Sequence, residues 1–332
     1  MNATRQVVIF GSGLRGKEVL NQLPPSDQVL FFVDNESALH GQTVSGHPIY
    51  PVEVLAEAEF DTVVIATRGN QAAYCQLVEM GIDRNNIISP LMSEDNLDRL
   101  SNLRNAHKGD TIFIVGNGDS LSNEDLERIA DTGHPSIAFN DIFQRFNQTS
   151  FRPSYYVVED PIFARENPHQ ILNMKHVTKL FPEQIIGTFP PADDIVYYGL
   201  NEEISPTSSS YFSESPLNFG FGATVVYPAL QLAVYMGARK IYLVGIDFTC
   251  GDLEALPREL RAIAANGCAT ERIYGECRKD EHWVEAHQRY AIKAFRTAQR
   301  FAAYRGISIM NASRGGQLEV YPRVRIETIL QH

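Results

Sequence analysis

Four cysteines in 332 residues, with no CxxC pair among them, leave little for a disulfide framework or a zinc knuckle. Cys250, Cys268 and Cys277 share one segment with His282. Their spacings hold the pairs far apart, so no metal site is expected. Basic charge is also short: 29 Lys and Arg stand against 40 Asp and Glu, a net charge of −11. That balance argues against general affinity for nucleic acid or for an anionic membrane, though a local basic site for a phosphorylated ligand stays compatible with it. No long apolar run is present either. The richest stretch, ATVVYPALQLAVYMGARKIYLVGI, is cut by Pro228, Gly237, Arg239 and Lys240 and reads as a buried helix followed by a buried strand. At the N-terminus, Arg5 precedes a short strand-like run without the apolar stretch and cleavage site of a signal peptide. The expectation is a cytoplasmic protein with reduced thiols, any membrane association being peripheral at most.

With 44% hydrophobic and 21% charged residues, the chain can bury substantial cores, and its length suits about two domains. The first opens on VVIF, a compact apolar strand, followed by Gly11, Gly13 and Gly16 in GxGxxG spacing and by a helix, KEVLNQL. A second strand, QVLFFVDN, carries Asp34 at its end. This is the βαβ dinucleotide pattern: glycines let backbone N–H groups approach a phosphate at a helix N-terminus, and an acidic residue about twenty positions on accepts from a ribose hydroxyl. FDTVVIAT adds a third strand, QAAYCQLVEMG a helix closed by Gly81, and IDRNNIIS a short last strand. The unit has no room for the second half of a dehydrogenase domain and carries no evident hydride-transfer residues. Binding or scaffolding, with or without a nucleotide, is the expected role. The polar tract SEDNLDRLSNLRNAHKGD is read as the connector, giving domains 1–105 and 106–332.

A second glycine loop follows in IFIVGNGDSL. Here the spacing is GxGxSL, with Gly116 and Gly118 expected to free the backbone, Asn117 to bond a sugar or phosphate, and Ser120 to cap the next helix while donating to an anion. SIAFNDIFQRF places Asn140 at a strand end, and RPSYYVVEDPIFA places Glu159, Asp160 and Pro161 at the next. KIYLVGIDF ends in Asp247, and ISIMNAS, after a long helix over 283–304, ends in Asn311 and Ser313. Polar tips at the carboxyl ends of successive strands mark the ligand crevice of an open α/β sheet. The fold class is therefore α/β: a small Rossmann-like parallel-sheet domain, then a larger, mostly parallel sheet with helices on both faces. The tract 201–222, rich in Ser and Pro, reads as a long loop, with Tyr211 and Ser213 in reach of a ligand, and 250–280 as a second lid. Arg314 and Arg323 suit a phosphate clamp, although for Arg323 a structural ion pair is favoured.

The first half resembles the nucleotide-binding domain beside PglD-type sugar acyltransferases, on FGSGLRGKEV, FFVDN, GHPIYPVEVL and VVIAT. Residues 108–330 resemble the MptE-like 6-hydroxymethylpterin diphosphokinases and the flagellar motility-accessory glycosyltransferases, on GNGDSL, YYVVED, TVVYPALQLAVYMGARKIYLVGIDF and NASRGGQLEVYPRV. That family is similar in turn to the family 42 bacterial sialyltransferases. The resemblance implies a CMP-sugar donor held by Asn117, Gly118, Ser120 and Asn140, with Asp160 standing where the relatives place an asparagine. Thr224, Asp247, Asn311, Ser313 and Arg314 complete the expected donor site. It implies a histidine general base, His287 or His282, and no metal; a glycan or protein acceptor and a homo-oligomeric assembly are expected alongside. A histidine with a pKa near ~6.5 suits that task at neutral pH. The alternative it leaves open is a diphosphokinase using Mg²⁺ on Asp160 and Asp247. A third reading is a nucleotide-sugar-binding accessory protein without catalysis.

Overall fold

The computed structural model describes residues 4–67, 70–201, 211–248 and 281–330; the side chains of Gln22 and of residues 281–288 lie outside the description. Cys250, Cys268, Cys277 and the lid expected at 250–280 also fall outside it. Cys75, within it, is free and exposed. The chain divides into two compact units. One holds Met1–Arg99 with Glu183–Pro191, the other Leu100–Pro182 with Ala192–His332.

The first unit runs β1 (Arg5–Phe10), α1 (Leu14–Gln22), β2 (Asp27–Asp34), β3 (Thr43–Val44), β4 (His47–Pro51), β5 (Thr62–Ile65), α2 (Asn70–Glu79) and β6 (Ile87–Ile88). The strand order is β3-β4-β2-β1-β5-β6, parallel except for β3 against β4. Alternate residues of β1 enter separate cores: Val8 and Phe10 pack with Val33, Val63 and Ile65, whereas Val7 and Ile9 pack with Phe32 and Val64. Burial on both faces is why the strand reads as an unbroken apolar run. Sequence patterning missed the β3–β4 hairpin. Its two-residue turn puts Ser45 at φ 51° and Gly46 at φ 86°, the two positive values that a tight type I′ hairpin turn needs. The excursion Glu183–Pro191 returns to this unit, where the buried Glu183 carboxylate accepts from the Asn70 N–H at 2.6 Å, at the start of α2.

The connector is helical, α3 (Glu94–Leu103). Its last turn belongs to the second unit, because Leu100 and Leu103 enter that unit's core and the Tyr235 hydroxyl donates to the Leu100 carbonyl at 2.8 Å. The second unit continues with β7 (Thr111–Val115), α4 (Asn123–Asp131), β8 (Ser136–Phe139), β9 (Tyr155–Val157), α5 (Pro161–Glu166), α6 (Pro168–Leu172), β10 (Thr178–Pro182), β11 (Ile195–Tyr198), β12 (Leu200–Asn201), β13 (Phe219–Gly220), α7 (Val226–Tyr235), β14 (Lys240–Val244), α8 (Glu281–Tyr304), β15 (Ser308–Asn311) and α9 (Ile326–Ile329). Seven strands form a parallel sheet in the order β11-β10-β9-β8-β7-β14-β15. The chain leaves β7 in one direction and later resumes on its other side at β14, so right-handed crossovers place α4 and α8 on opposite faces. Ala291, Ala294, Phe295 and Ala298 of α8 share one core with α7 and with Ile112, Ile114, Ile241 and Leu243 of the strands.

The described part of the expected long loop is a built element. Gln231, fully buried on α7, accepts from the N–H groups of Ser213 and Gly220 and donates to the Gly220 carbonyl. Its amide adds to the bonding of a segment that also pairs through the short β12–β13 ladder, through the Gly199 N–H to the Pro216 carbonyl and through the Asn218 N–H to the Ser215 carbonyl. Tyr211 and Ser213, expected within reach of a ligand, are engaged locally. The Tyr211 hydroxyl bonds Asn218, and the Ser213 hydroxyl accepts from the Ser215 N–H.

Candidate functional site

Both glycine loops lie at the carboxyl ends of parallel strands, and both are held by the same device. In the first, Asp34 at the end of β2 accepts from the Ser12 N–H at 2.8 Å and from its hydroxyl at 2.7 Å. In the second, Asp247, beyond β14, accepts from the Ser120 N–H at 2.9 Å and from its hydroxyl. Burial pushes the Asp34 carboxyl up, but donation from Glu36 and Ser12, with His40 nearby, outweighs it and holds the pKa below the ordinary value. The side chain expected to accept from a ribose is thus engaged by the protein's own loop.

The glycines permit close approach within the protein. A Cβ on Gly116 would stand 2.4 Å from the Gly245 carbonyl, and one on Gly118 would stand 2.5 Å from the Asp247 carboxylate. The amides expected to be free are engaged as well: Gly116 donates to Val244 at 2.8 Å and Gly118 to Gly245 at 2.9 Å. Gly116, Gly118, Ser120 and Asp247, the residues expected to hold the donor, are thus bonded within the protein in this structure. The glycine amides bond carbonyls at the end of β14 and Ser120 bonds Asp247, because a loop this close to β14 must satisfy its backbone there. Nor does Ser120 cap the next helix. Ser122 does, in a reciprocal capping box with Asp125. The two loops differ in this respect. Gly13 at the start of α1 has no side-chain cap, and a Cβ there would meet no described atom within 4 Å, whereas the amino end of α4 is closed by its capping box.

Three further residues expected at the donor site, at and after β15, also bond within the protein. Asn311 is wholly buried, donating to the Leu318 carbonyl and accepting from the Ser313 N–H. The Ser313 hydroxyl accepts from the Ile246 N–H at 2.9 Å. Arg314 forms a two-pronged pair with the buried Asp125, its closer contact 2.6 Å, and a second pair with Glu327 at 3.0 Å. Arg323 pairs with Glu319 and donates to the carbonyls of Ser313, Gly315 and Gly316, the structural role favoured for it. These side chains secure the SRGG turn against β14 and α4.

What stays available lies on the other side of β7. The Asn117 side chain donates to the Phe139 carbonyl at 2.7 Å, leaving its oxygen and second N–H without a bond to a described residue, and this bond brings the loop to the exit of β8. The next residue, Asn140, sits at φ 50°, a left-handed conformation that asparagine tolerates better than most residues. The Tyr156 hydroxyl secures that turn by donating to the Asn140 carbonyl at 3.1 Å. The Asn140 side chain makes no hydrogen bond to a described residue. Asp160, at the exit of β9, caps α5 by accepting from the Ile162 N–H at 2.8 Å. Thr224 accepts weakly from the Val226 N–H at 3.4 Å, before α7. Both helices precede or follow parallel strands, so their amino ends lie at this same end of the sheet. So does the amino end of α8, whose first two turns contain His282 and His287. The side chains of these two candidate bases lie outside the described residues.

One residue escaped the strand-tip reading. Asp141, beside Asn140, is half-buried, and burial raises its carboxyl pKa despite a bond from Gln144. The dipeptide Asn140-Asp141 after an apolar strand was the available signal. Asp160 is raised too: burial is the main cause, partly offset by the Ile162 and Phe163 amides, with Glu166 raising it further and Arg165 lowering it.

The family model described as 6-hydroxymethylpterin diphosphokinase MptE-like matches residues 85–252, just over half of the chain. The chain belongs to the MptE-like family. The matched stretch of this MptE-like chain contains Asn117, Asn140, Asp160 and Asp247 and stops before α8 and the SRGG turn. A second model, for a C2185-like N-terminal domain, matches residues 3–88. No curated protein matches the chain. A solved MAf glycosyltransferase from Magnetospirillum magneticum AMB-1 is 14% identical with a TM-score of 0.42; the superposition takes in 98% of this chain and 58% of that one. This chain therefore spans less than two thirds of that protein's length. Among the described residues, no helix is long and apolar enough to cross a membrane, and no group of three or more His, Cys, Asp or Glu is placed to hold a metal ion.

Removing the charge of Asp160 separates its capping role from its ionisation. Its folded pKa lies above the ordinary 3.8, so the folded state binds the proton more tightly than the unfolded chain. That contribution is present at low pH and is lost as pH rises from 3.8 through the folded value. Asp160→Asn keeps an acceptor for Ile162. Melting temperatures across acidic to neutral pH are expected to show the variant matching or exceeding the parent at pH 7, with the advantage vanishing below pH 3.8. A variant less stable at pH 7 than at low pH, relative to the parent, would contradict this.

Proposed function

We propose that the second unit is a glycosyltransferase of surface polysaccharide or glycoconjugate synthesis. It moves a sugar from a nucleotide-activated donor, with a CMP-sugar first in order, onto a hydroxyl of a glycan or protein acceptor. The observation that supports this reading is the pairing of Asn117 with the left-handed Asn140 at the exits of β7 and β8, where uncommitted amide groups face no competing partner within the described residues. Two amides suit a nucleotide, whose base and ribose present both donors and acceptors. In the reaction, a histidine of α8, His287 or His282, takes the acceptor hydroxyl's proton. The acceptor oxygen bonds the anomeric carbon, and the donor's phosphate leaves with the electrons of the broken bond. No metal is needed in this scheme. The setting is cytoplasmic, with a homo-oligomer as the assembly and with the first unit serving binding or scaffolding.

A second reading is supported by the family's own description. In a diphosphokinase, Mg²⁺ would neutralise the pyrophosphoryl group during transfer. Because Asp247 is committed to Ser120, the carboxylates available to hold the ion are Asp141 and Asp160.

A thermal-shift panel of CMP, UDP, GDP, ATP and NAD, with and without Mg²⁺, tests the choice. A ligand selective for the folded state at a hundred times its Kd adds roughly 2.7 kcal/mol. The expected result is stabilisation by CMP without Mg²⁺, together with loss of turnover in His287→Ala or His282→Ala at unchanged CMP binding. Full turnover in both variants would remove the proposed base. Strict dependence on Mg²⁺ and ATP would favour the diphosphokinase, and CMP binding without any turnover an accessory protein.

A further inference from the structure

A cavity of about 740 Å³ opens in the second unit at the opposite end of the sheet, below the amino ends of β7, β14 and β15. Four cations line it, Arg104, Lys108, Arg239 and Arg305, against one carboxylate, Glu214. In a chain of net charge −11, this is a concentration of positive charge opposed to the overall field.

Three helices, α3, α7 and α8, end nearby, and cations at helix carboxyl ends commonly serve to satisfy terminal carbonyls. Here the backbone already does most of that. The carbonyls of Tyr235, Met236 and Gly237 accept from the N–H groups of Asn105, His107 and Gly109 at 3.1, 2.8 and 2.9 Å. At the end of α8, the Ala303 and Ala302 carbonyls accept from Gly306 and Ile307, and the Arg239 guanidinium donates to the Arg305 carbonyl at 3.4 Å. Arg305 pairs with Glu214 at 2.6 Å. The Arg104 and Lys108 side chains make no hydrogen bond or ion pair to a described residue, although the Arg104 charge acts on the Tyr235 hydroxyl. The cavity thus holds positive charge beyond what its helix ends and its single carboxylate take up. Its volume falls within the range of small-ligand sites.

We infer that this basin binds a phosphoryl-bearing anion, with Arg104 and Lys108 as its uncommitted donors and Arg239 and Arg305 as its walls. Guanidinium forks match phosphate oxygens in pairs, and an ammonium adds a point charge. The site stands apart from the glycine-loop end and does not depend on the transferase reading.

The test uses the full chain. Inorganic pyrophosphate is titrated calorimetrically, and co-sedimentation is measured with vesicles of phosphatidylcholine alone and of an equimolar mixture with phosphatidylglycerol. The same measurements are made on Arg104→Gln/Lys108→Gln and on Lys108→Gln alone, both checked for unchanged melting temperature. The expected result is saturable pyrophosphate binding that weakens with salt, falling roughly tenfold in Lys108→Gln and roughly a hundredfold in the double variant, since each lost charge-assisted contact is worth about a factor of ten. Binding only to the anionic vesicles, lost in the variants, supports the same site with a lipid headgroup as its source. No binding to either, or binding that both variants retain in full, overturns the inference.

Discussion

Asp247→Ala is expected to destabilise the second unit by about 3 kcal/mol, the range for losing charge-assisted hydrogen bonds at a buried site. Asp247 is 9% exposed, and its carboxylate is the acceptor for both the N–H and the hydroxyl of Ser120. Alanine would leave two donors without a partner beside Gly118, whose approach admits no larger side chain. The Asp247 backbone is equally hemmed in. A Cβ on Gly316, at φ 84°, would stand 1.9 Å from the Asp247 carbonyl, and Gln317 donates to that carbonyl at 2.7 Å. Removing the carboxylate therefore loosens the GNGDSL loop, while the SRGG turn keeps its contacts to the Asp247 backbone. Asp247→Asn, which keeps one acceptor oxygen, should fall between. The Ser120→Ala and Asp247→Ala pair should be strongly non-additive in urea unfolding, as expected of residues sharing one network. Additive effects, or wild-type stability in Asp247→Ala, would show that the clamp does not hold the loop.

Asn140 should behave in the opposite manner, with a large effect on donor binding and a small one on stability. A hydrogen bond to a charged ligand group is worth about 1.5–3 kcal/mol, so Asn140→Ala is expected to weaken donor binding about ten- to a hundredfold. Alanine is also strained at φ 50°, at a cost of about 1–2 kcal/mol. Asn140→Gly separates the two effects, since glycine accepts this conformation without penalty. Equal loss of donor affinity in both variants, with a lowered melting temperature in alanine alone, assigns the binding to the side chain. Wild-type affinity in Asn140→Gly would assign the asparagine to its turn only.

These two residues show what was legible in the sequence. Strands such as VVIF and KIYLV are buried on both faces and so appear as plain apolar runs, and Gly81 and Gly237, both at positive φ, end their helices where the pattern stops. Strand order and the carboxyl-end location of polar tips follow from parallel topology. The use of each tip does not. Asp247, Asn311, Ser313 and Asn140 look alike as polar residues after apolar strands. The first three are bonded to amides or carbonyls of neighbouring loops, and only tertiary packing determines which of those lie opposite. Gln231 shows the same limit in reverse. A lone amide in the apolar helix YPALQLAVY was visible, yet its three bonds to residues 213 and 220 could not be read before the segment's path was known. The division inside α3 is similar. A polar connector conceals Leu100 and Leu103, which the second core claims.

A crystal structure of the full chain soaked with CMP addresses the central claim most directly. The account predicts nucleotide density at the exits of β7 and β8, with Asn117 and Asn140 side chains within hydrogen-bond distance of it and the Asp247–Ser120 clamp unchanged. Nucleotide bound instead on the β14 side after displacement of Asp247, or seated only at the uncapped start of α1, would contradict it.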